Sequence, residues 1–266
     1  MVKKVIIIAL YILSIVCYSQ DENNPKNDCG YINKSFKSGE VLTYDVGYSL
    51  SLMWIRAGEV TFSIKDTVLN ERQAHHVVGE GGTYSYYEWL FKVDDKYESF
   101  IDKETFLPLK FKRKVHEGGY KFYNEVDFRH NLNEVTSLKG NFKIPDCIHD
   151  ILSAVYVCRN MNFEDYSEGD TIPMTVFLDN EVWPIHARYK GKEVIKTRQG
   201  KFNTIKFTPL LIEGTVFEAG EEMLVWVTDD ENKLPLRVES EILIGKIKVE
   251  LRSYKGLRNP INAKLR

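Results

Sequence analysis

The sequence has no excess of charge of either sign, few cysteines and, beyond its first residues, no long hydrophobic run. Its 36 Lys and Arg stand against 38 Asp and Glu in 266 residues, a formal net charge of −2. A nucleic-acid binder carries a clear cationic excess, and a disordered chain carries high charge with few apolar residues. Neither describes a chain that is 43% hydrophobic and 12% aromatic, which can bury a real core. No nucleic-acid partner is expected. The catalytic signatures are absent too. There is no Gly-x-Ser-x-Gly elbow, no His-Glu-x-x-His, no phosphate-cradling glycine loop and no dinucleotide fingerprint. No paired Cys or His stands at ligand spacing, so neither a metal site nor a cofactor is expected.

The first 19 residues read as a secretory signal peptide. Lys3 and Lys4 supply the positive start, Val5 to Val16 an unbroken apolar stretch, and Cys17 and Ser19 the small residues of a cleavage site before Gln20. The stretch is too short to span a bilayer, which takes about 20 residues, and no other segment approaches that length. Acylation of Cys17 is the rival reading, against which the bulky Val16 speaks. Cleavage would remove two lysines and no acid, leaving 34 basic and 38 acidic side chains. Export is expected, to the periplasm or the outer-membrane surface.

What fills the chain is alternation. Leu42, Tyr44, Val46, Tyr48, Leu50 and Leu52 interleave with small and polar residues, as do Val60, Phe62 and Ile64, then Phe122, Val126 and Phe128, and later Ile247, Val249 and Leu251. Period two with one apolar face marks antiparallel sheet. Turn-like breaks fall at Glu117-Gly118-Gly119 and Ile244-Gly245. Residues 100–111 resemble residues 227–238: each strand ends at an acidic turn and the next opens with Leu-Pro-Leu followed by a basic residue. Proline suits a strand's first residue, where no ladder donor is lost, and acids suit the turn through local hydrogen bonds. The expected architecture is all-β: two related antiparallel meanders forming curved sheets or an open β-barrel, bridged by one amphipathic helix. The segments are a tail at 20–37, a first meander at 38–145, the helix at 146–161, a second meander at 162–255 and a tail at 256–266.

In the bridging segment Ile148, Ile151, Leu152, Val155 and Tyr156 follow a helical stripe, with Asp146 after Pro145 as the expected N-cap. Cys147 and Cys158 flank that helix. Eleven residues of helix span about 16 Å, beyond the reach of a disulfide. Any bridge therefore uses Cys29, and three buried thiols are the alternative.

Candidate chemistry is sparse. His75 and His76 are neighbours in a strand and point to opposite faces; His149 and Asp150 are neighbours on the expected helix. The acids Asp94-Asp95 and Asp229-Asp230-Glu231 flank turns, where solvated acids are ordinary. The aromatic residues are more suggestive. Tyr84, Tyr86, Tyr87, Trp89 and Phe91 cluster after Gly81-Gly82, Trp54 follows the first strand, Trp183 precedes Pro184, and Trp226 lies in a strand apolar on both faces. On a curved sheet such side chains line a pocket for an apolar ligand or stack on sugar rings.

Several of these motifs fall in a familiar order. Cys29-Gly30, Gly39-Glu40 with Leu42 and Tyr44, Ala57-Gly58-Glu59-Val60, Asp150-Ile151-Leu152-Ser153, and Trp226-Val227-Thr228-Asp229-Asp230 leading to Leu234-Pro235-Leu236 resemble the exported bacterial family known as domain of unknown function 3108, over roughly residues 29–255. The acidic turn followed by Leu-Pro-Leu is also similar to a pattern in LolA-like envelope proteins, open barrels that carry acyl chains. That resemblance implies a half-barrel around an apolar ligand. The functional expectation is an exported envelope protein that binds an apolar or amphipathic small molecule, lipid included, on a curved sheet, using Trp54, Tyr84, Tyr86, Tyr87, Trp89 and Trp183. The alternatives are a carbohydrate-active lyase or hydrolase, and a structural module that engages another envelope protein.

Overall fold

The structure is a computed structural model that describes residues 29–50, 53–210, 223–241 and 246–266. The signal-like residues 1–19 with Cys17, and the turn at Ile244-Gly245, lie outside the described residues. Among the described residues, fourteen strands form a single antiparallel sheet. The first wing holds β1 (Val41–Leu50), β2 (Met53–Leu69), β3 (Arg72–Thr83), β4 (Asp94–Asp102), β5 (Pro108–Glu117), β6 (Tyr120–Arg129), β7 (Glu134–Ser137) and β8 (Gly140–Lys143). The second holds β9 (Thr171–Leu178), β10 (Glu181–Thr197), β11 (Gly200–Leu210), β12 (Met223–Thr228), β13 (Pro235–Glu241) and β14 (Lys246–Lys255).

The order across the sheet runs from β8 to β1, then from β14 to β9. The chain starts in the middle, meanders out to one edge, crosses to the far edge and meanders back. The two wings are one sheet because β1 pairs with both β2 and β14. The sheet does not close into a barrel, since no ladder joins β8 to β9. Its margins meet instead through the crossing segment, where His149 bridges Val176 of β9.

That crossing carries helix α1 (Ile151–Cys158), shorter than the 146–161 helix expected from the apolar stripe. The reason lies upstream. Cys147 is bonded to Cys29 and holds a positive φ of 56°. His149 then donates its N–H to the Thr175 carbonyl and accepts from the Phe177 N–H, both at strand-like geometry. Residues tied this way cannot coil, so the N-cap passes from Asp146 to Asp150. The Asp150 carboxylate accepts from the N–H groups of Leu152 and Ser153, and Ser153 Oγ accepts from the Asp150 N–H, a complete capping box. His149 and Asp150 thus precede the helix instead of lying on it. Among the three cysteines described, Cys29–Cys147 is the bridge and Cys158 is free.

Both Leu-Pro-Leu hairpins close alike. Asp102 accepts from the backbone of Glu104 and Thr105, and Asp230 from that of Asn232. The carbonyl oxygens of Leu107 and Leu234 accept from the N–H groups of Asp102 and Thr228. All four leucines at Leu107, Leu234, Leu236 and, less deeply, Leu109 turn toward the protein interior or its margin, the first three almost fully buried.

The segments read as tails are docked where they are described. Phe36 is fully buried among Phe106, Tyr156 and His75. Near the other end Lys264 bridges Phe202, and Asn232 holds the carbonyls of Asn259 and Pro260. Where they converge, Arg159 at the C-cap of α1 makes a two-pronged ion pair with Glu40, at 2.6 and 2.9 Å. Arg159 is 3% exposed and Glu40 not at all. The guanidinium also donates Nε to the Asn232 carbonyl. One buried cation so ties the helix, the start of the first wing and the β12–β13 turn.

Candidate functional site

The inner face of the first wing is set by its register. Val46 stands opposite Gly58, which stands opposite Thr83; Val60 opposite Gly81, opposite Asp95; Phe62 opposite Gly79, opposite Tyr97. Facing side chains in such rows normally fill the space above the sheet. Here β3 contributes glycines, and the rows are left open in their middle. Phe62 lies across Gly79 so closely that a Cβ there would sit 2.9 Å from its ring. Strands approach so tightly at Gly58 that a Cβ would fall 2.3 Å from the Gly82 carbonyl oxygen.

Above this floor is a cavity of about 770 Å³, within the range of roughly 300–1,000 Å³ typical of small-molecule sites. Val46, Val60 and Phe62 form its base, Ile151 and Leu152 of α1 one wall, and Tyr87, Leu90 and Phe91 another. The lining is overwhelmingly apolar. Each wall has a local cause. The capping box fixes the first turn of α1, and Ser99 of β4 donates its hydroxyl to Asp150 Oδ2 at 2.6 Å, pinning the helix to the sheet. Burial pushes the Asp150 carboxyl up to about 6, opposed by the hydrogen bonds from Ser99 and the helix N–H groups. The second wall is the excursion of residues 84–92 between β3 and β4. Its ends are joined by Thr83 and Val93, which exchange a backbone bond and a hydroxyl bond. Inside it, the N–H groups of Leu90 and Phe91 return to the Tyr87 carbonyl.

The polar end of the cavity is acidic. Asp95 reaches its lining and accepts the His116 N–H. Glu117 lies beside it, and its carboxyl is pushed up by burial, by the Asp95 charge and by a hydrogen bond with Asp95, against the pull of Arg113. The Tyr97 hydroxyl is raised by burial, with Arg113 opposing. Arg113 pairs with Asp179 at 3.2 Å and stacks over Phe122. Among the described residues, no group of three His, Cys, Asp or Glu is placed to hold a metal ion.

Of the six aromatic candidates, Tyr87 lines the cavity and the other five lie outside its lining. Tyr86 and Trp89 sit on the outer side of the 84–92 excursion, the latter 82% exposed with its Nε1 donating to the Tyr86 carbonyl. Tyr84 turns to the opposite face of the sheet. There its hydroxyl meets Asp45 and Arg252, each at 3.2 Å, within a cluster that also holds Arg56 and Arg198 around the buried Asp45 carboxylate. Trp54 lies under Lys248, 4.7 Å from ring to ammonium. Trp183 belongs to β10 and donates to the Leu178 carbonyl. The residues that shape the cavity most are glycines and aliphatics that carry no chemical signature. The available signal was Gly79 and Gly81, two residues apart inside an alternating strand, where each glycine removes a side chain from the same face.

His75 and His76 do face opposite ways, toward Asp66 and Glu98 respectively, each at 2.9 Å. His149 is buried, and neither ring nitrogen finds a partner among the described residues. Burial holds it well below the usual histidine range, at about 4, helped by His130.

Comparison with known proteins bears on this architecture. Residues 43–252 match the model of a protein family of unknown function, DUF3108. No curated protein matches the sequence. A crystal structure of a β-barrel-like protein of domain of unknown function DUF1849 from Brucella abortus is similar in fold. Its TM-score is 0.53 at 8% identity, covering 81% of this chain and 96% of that one. A protein with a YmcC-like fold from Bacteroides fragilis matches over 85% of this chain and 99% of its own, at 10% identity and a TM-score of 0.36. No helix among the described residues is long and apolar enough to cross a membrane.

Proposed function

The chain belongs to the DUF3108 family, and from that premise we propose that it is an exported envelope protein holding an apolar or amphipathic small molecule, of lipid type, in the cavity between the glycine floor, α1 and residues 84–92. The observation that carries this reading is the cavity itself: large enough for a ligand, lined by Val46, Val60, Phe62, Leu90, Phe91, Ile151 and Leu152, and floored by residues that cannot fill it. Apolar walls left in contact with water cost free energy that an apolar ligand recovers. Export rests on the signal-like residues 1–19 and on the Cys29–Cys147 bridge, a bond that persists in oxidising compartments. A carbohydrate-active enzyme needs carboxylates facing each other across an open cleft. Here Asp95 and Glu117 hydrogen-bond to each other at the end of an apolar space, which favours the ligand reading.

Native mass spectrometry of the protein purified from its own envelope, followed by solvent extraction, tests this directly. A discrete added mass that extracts as lipid is the expected result. As a second arm, Val46→Trp places an indole in the cavity from a half-buried position. Uptake of the apolar fluorophore N-phenylnaphthylamine should be lost in the variant while the fold survives. Equal uptake by both proteins, or none by the wild type, overturns the reading.

A further inference from the structure

Charge is sorted between the two faces of the first wing. On β4 and β5 the register places Asp95, Tyr97, Arg113 and Glu117 on the cavity side and Lys96, Lys112 and Lys114 on the other. Two charged residues border the cavity, Glu59 and Asp95, and both are acids. Glu59 is committed to Arg252 at 2.7 Å. Among the described residues, neither Asp95 nor Glu117 forms an ion pair. Elsewhere the protein neutralises the carboxylates it draws inside: Arg159 faces Glu40, Arg198 faces Asp45 and Arg237 faces Glu250. A carboxylate held beside apolar walls without a counter-charge is costly. Arg113, the cation that β5 places on this face, is taken by Asp179 and lies outside the cavity lining. Val93 and Glu117 pair in an isolated bridge, which brings the end of β5 against the end of the 84–92 excursion. The Tyr97 hydroxyl shares these surroundings. It borders the cavity and has no hydrogen-bond partner among the described residues. Burial keeps it protonated, with Arg113 opposing and the charges of Asp95 and Glu117 assisting.

We propose that the cavity selects amphiphiles whose polar head donates hydrogen bonds and carries positive charge, an alkylammonium in its simplest form, and rejects those with a carboxylate or phosphate head. The inference rests on the reading of the cavity as a ligand site and names the head group that site takes. Each carboxylate offers about four acceptor positions. The His116 N–H and the bond between Asp95 and Glu117 occupy only part of that capacity. If the two acids share one proton, a negative charge still remains at this end of the cavity. An ammonium supplies three donors and the missing counter-charge, and the Tyr97 hydroxyl has a lone pair to accept one of them. The alkyl chain then lies along Val60, Phe62 and Leu152. An anionic head would instead meet like charge, with Arg113 already paired, and like charges brought together at a contact are strongly disfavoured. An uncharged alcohol falls between the two.

The experiment is displacement of N-phenylnaphthylamine at neutral pH by dodecylamine, dodecanol and dodecanoate, each below its micelle concentration. The three share one chain and differ in the head. Dodecylamine should displace the dye at a concentration at least about thirtyfold below that of dodecanoate, with dodecanol between them. Asp95→Asn with Glu117→Gln keeps both shapes and an acceptor for the His116 N–H while removing both charges. In that variant the ratio should fall to about threefold or less, with displacement by dodecanol unchanged. A merely structural role would move all three amphiphiles together. Glu117→Gln alone changes a residue outside the lining and should lower the ratio by a smaller factor. It decides the matter if the double variant takes up no dye, and an unchanged ratio there overturns the inference. Dodecanoate that equals dodecylamine on the wild type overturns the head-group assignment and leaves the cavity reading intact. A double variant that keeps the wild-type ratio overturns it too, because the selection then comes from elsewhere. If none of the three displaces the dye, the ligand reading itself fails and the assignment falls with it.

Discussion

Removing Arg159 is the sharpest test of how the fold is held. The guanidinium makes two hydrogen bonds to Glu40 and one to the Asn232 carbonyl, and lies 5.2 Å from the Tyr156 ring centre and 5.7 Å from that of Phe36. Arg159→Met keeps most of the side-chain volume and removes every one of these bonds. It leaves the Glu40 carboxylate, which has no exposure at all, without its counter-charge. Losing one partner of a buried pair costs about 3–5 kcal/mol. The orphaned Asn232 carbonyl adds roughly 1 kcal/mol. Arg159→Met with Glu40→Leu removes both charges, so the charge penalty disappears and the carbonyl and packing losses remain. The double variant should therefore be more stable than Arg159→Met by roughly 2–4 kcal/mol. The assay is urea unfolding followed by circular dichroism, on the wild type, both single variants and the double. A single variant that costs less than about 1 kcal/mol, or a double variant whose loss equals the sum of the singles, would refute the reasoning. The first outcome would mean water reaches the pair, and the second that the two charges are not coupled.

Other perturbations follow from the same structure. Cys29→Ser releases a crosslink spanning 118 residues; a loop of that size predicts a loss near the upper end of about 2–5 kcal/mol, read from the same unfolding curves and matched by the wild type under reductant. His149→Leu should stabilise the protein by about 1–3 kcal/mol at neutral pH, because two buried ring nitrogens without partners are removed. Its folded value near 4 also means that the histidine's contribution is intact above about pH 6.5 and is lost as the pH falls to 4, a change of roughly 3 kcal/mol. The Leu variant should lack that acid-side decline, and an unchanged pH profile would sink the assignment. Asp150, raised to about 6, works in the opposite sense: stability falls as the pH rises through the interval from about 4 to 6, a trend that Asp150→Asn should flatten. Gly58→Val should prevent folding of the first wing, since its Cβ would meet the Gly82 carbonyl oxygen at 2.3 Å; a soluble variant with wild-type circular dichroism would disprove the close approach.

The β class was legible because alternation is a local property: each apolar residue two places from the last reports one face of a strand, whatever lies across from it. The Leu-Pro-Leu hairpins were legible for the same reason, as acid, proline and leucine act within a few residues of each other. The sequence by itself also restricted any disulfide to Cys29, through the length of helix expected between the other two cysteines. The choice of Cys147 was made in space. So was the start of α1, because nothing local announces that His149 will pair with β9 and stop the helix from beginning at Asp146. The cavity depended on tertiary structure most of all. Its lining joins β1, β2, β3, β4, the 84–92 excursion and α1, and a glycine in one strand becomes a void only when its row partners and the helix above are known. The aromatic cluster was visible as composition. Which side of it faces the cavity and which faces solvent was decided by the backbone and hydroxyl bonds between Thr83 and Val93, which fold the segment over the sheet and leave Trp89 outside.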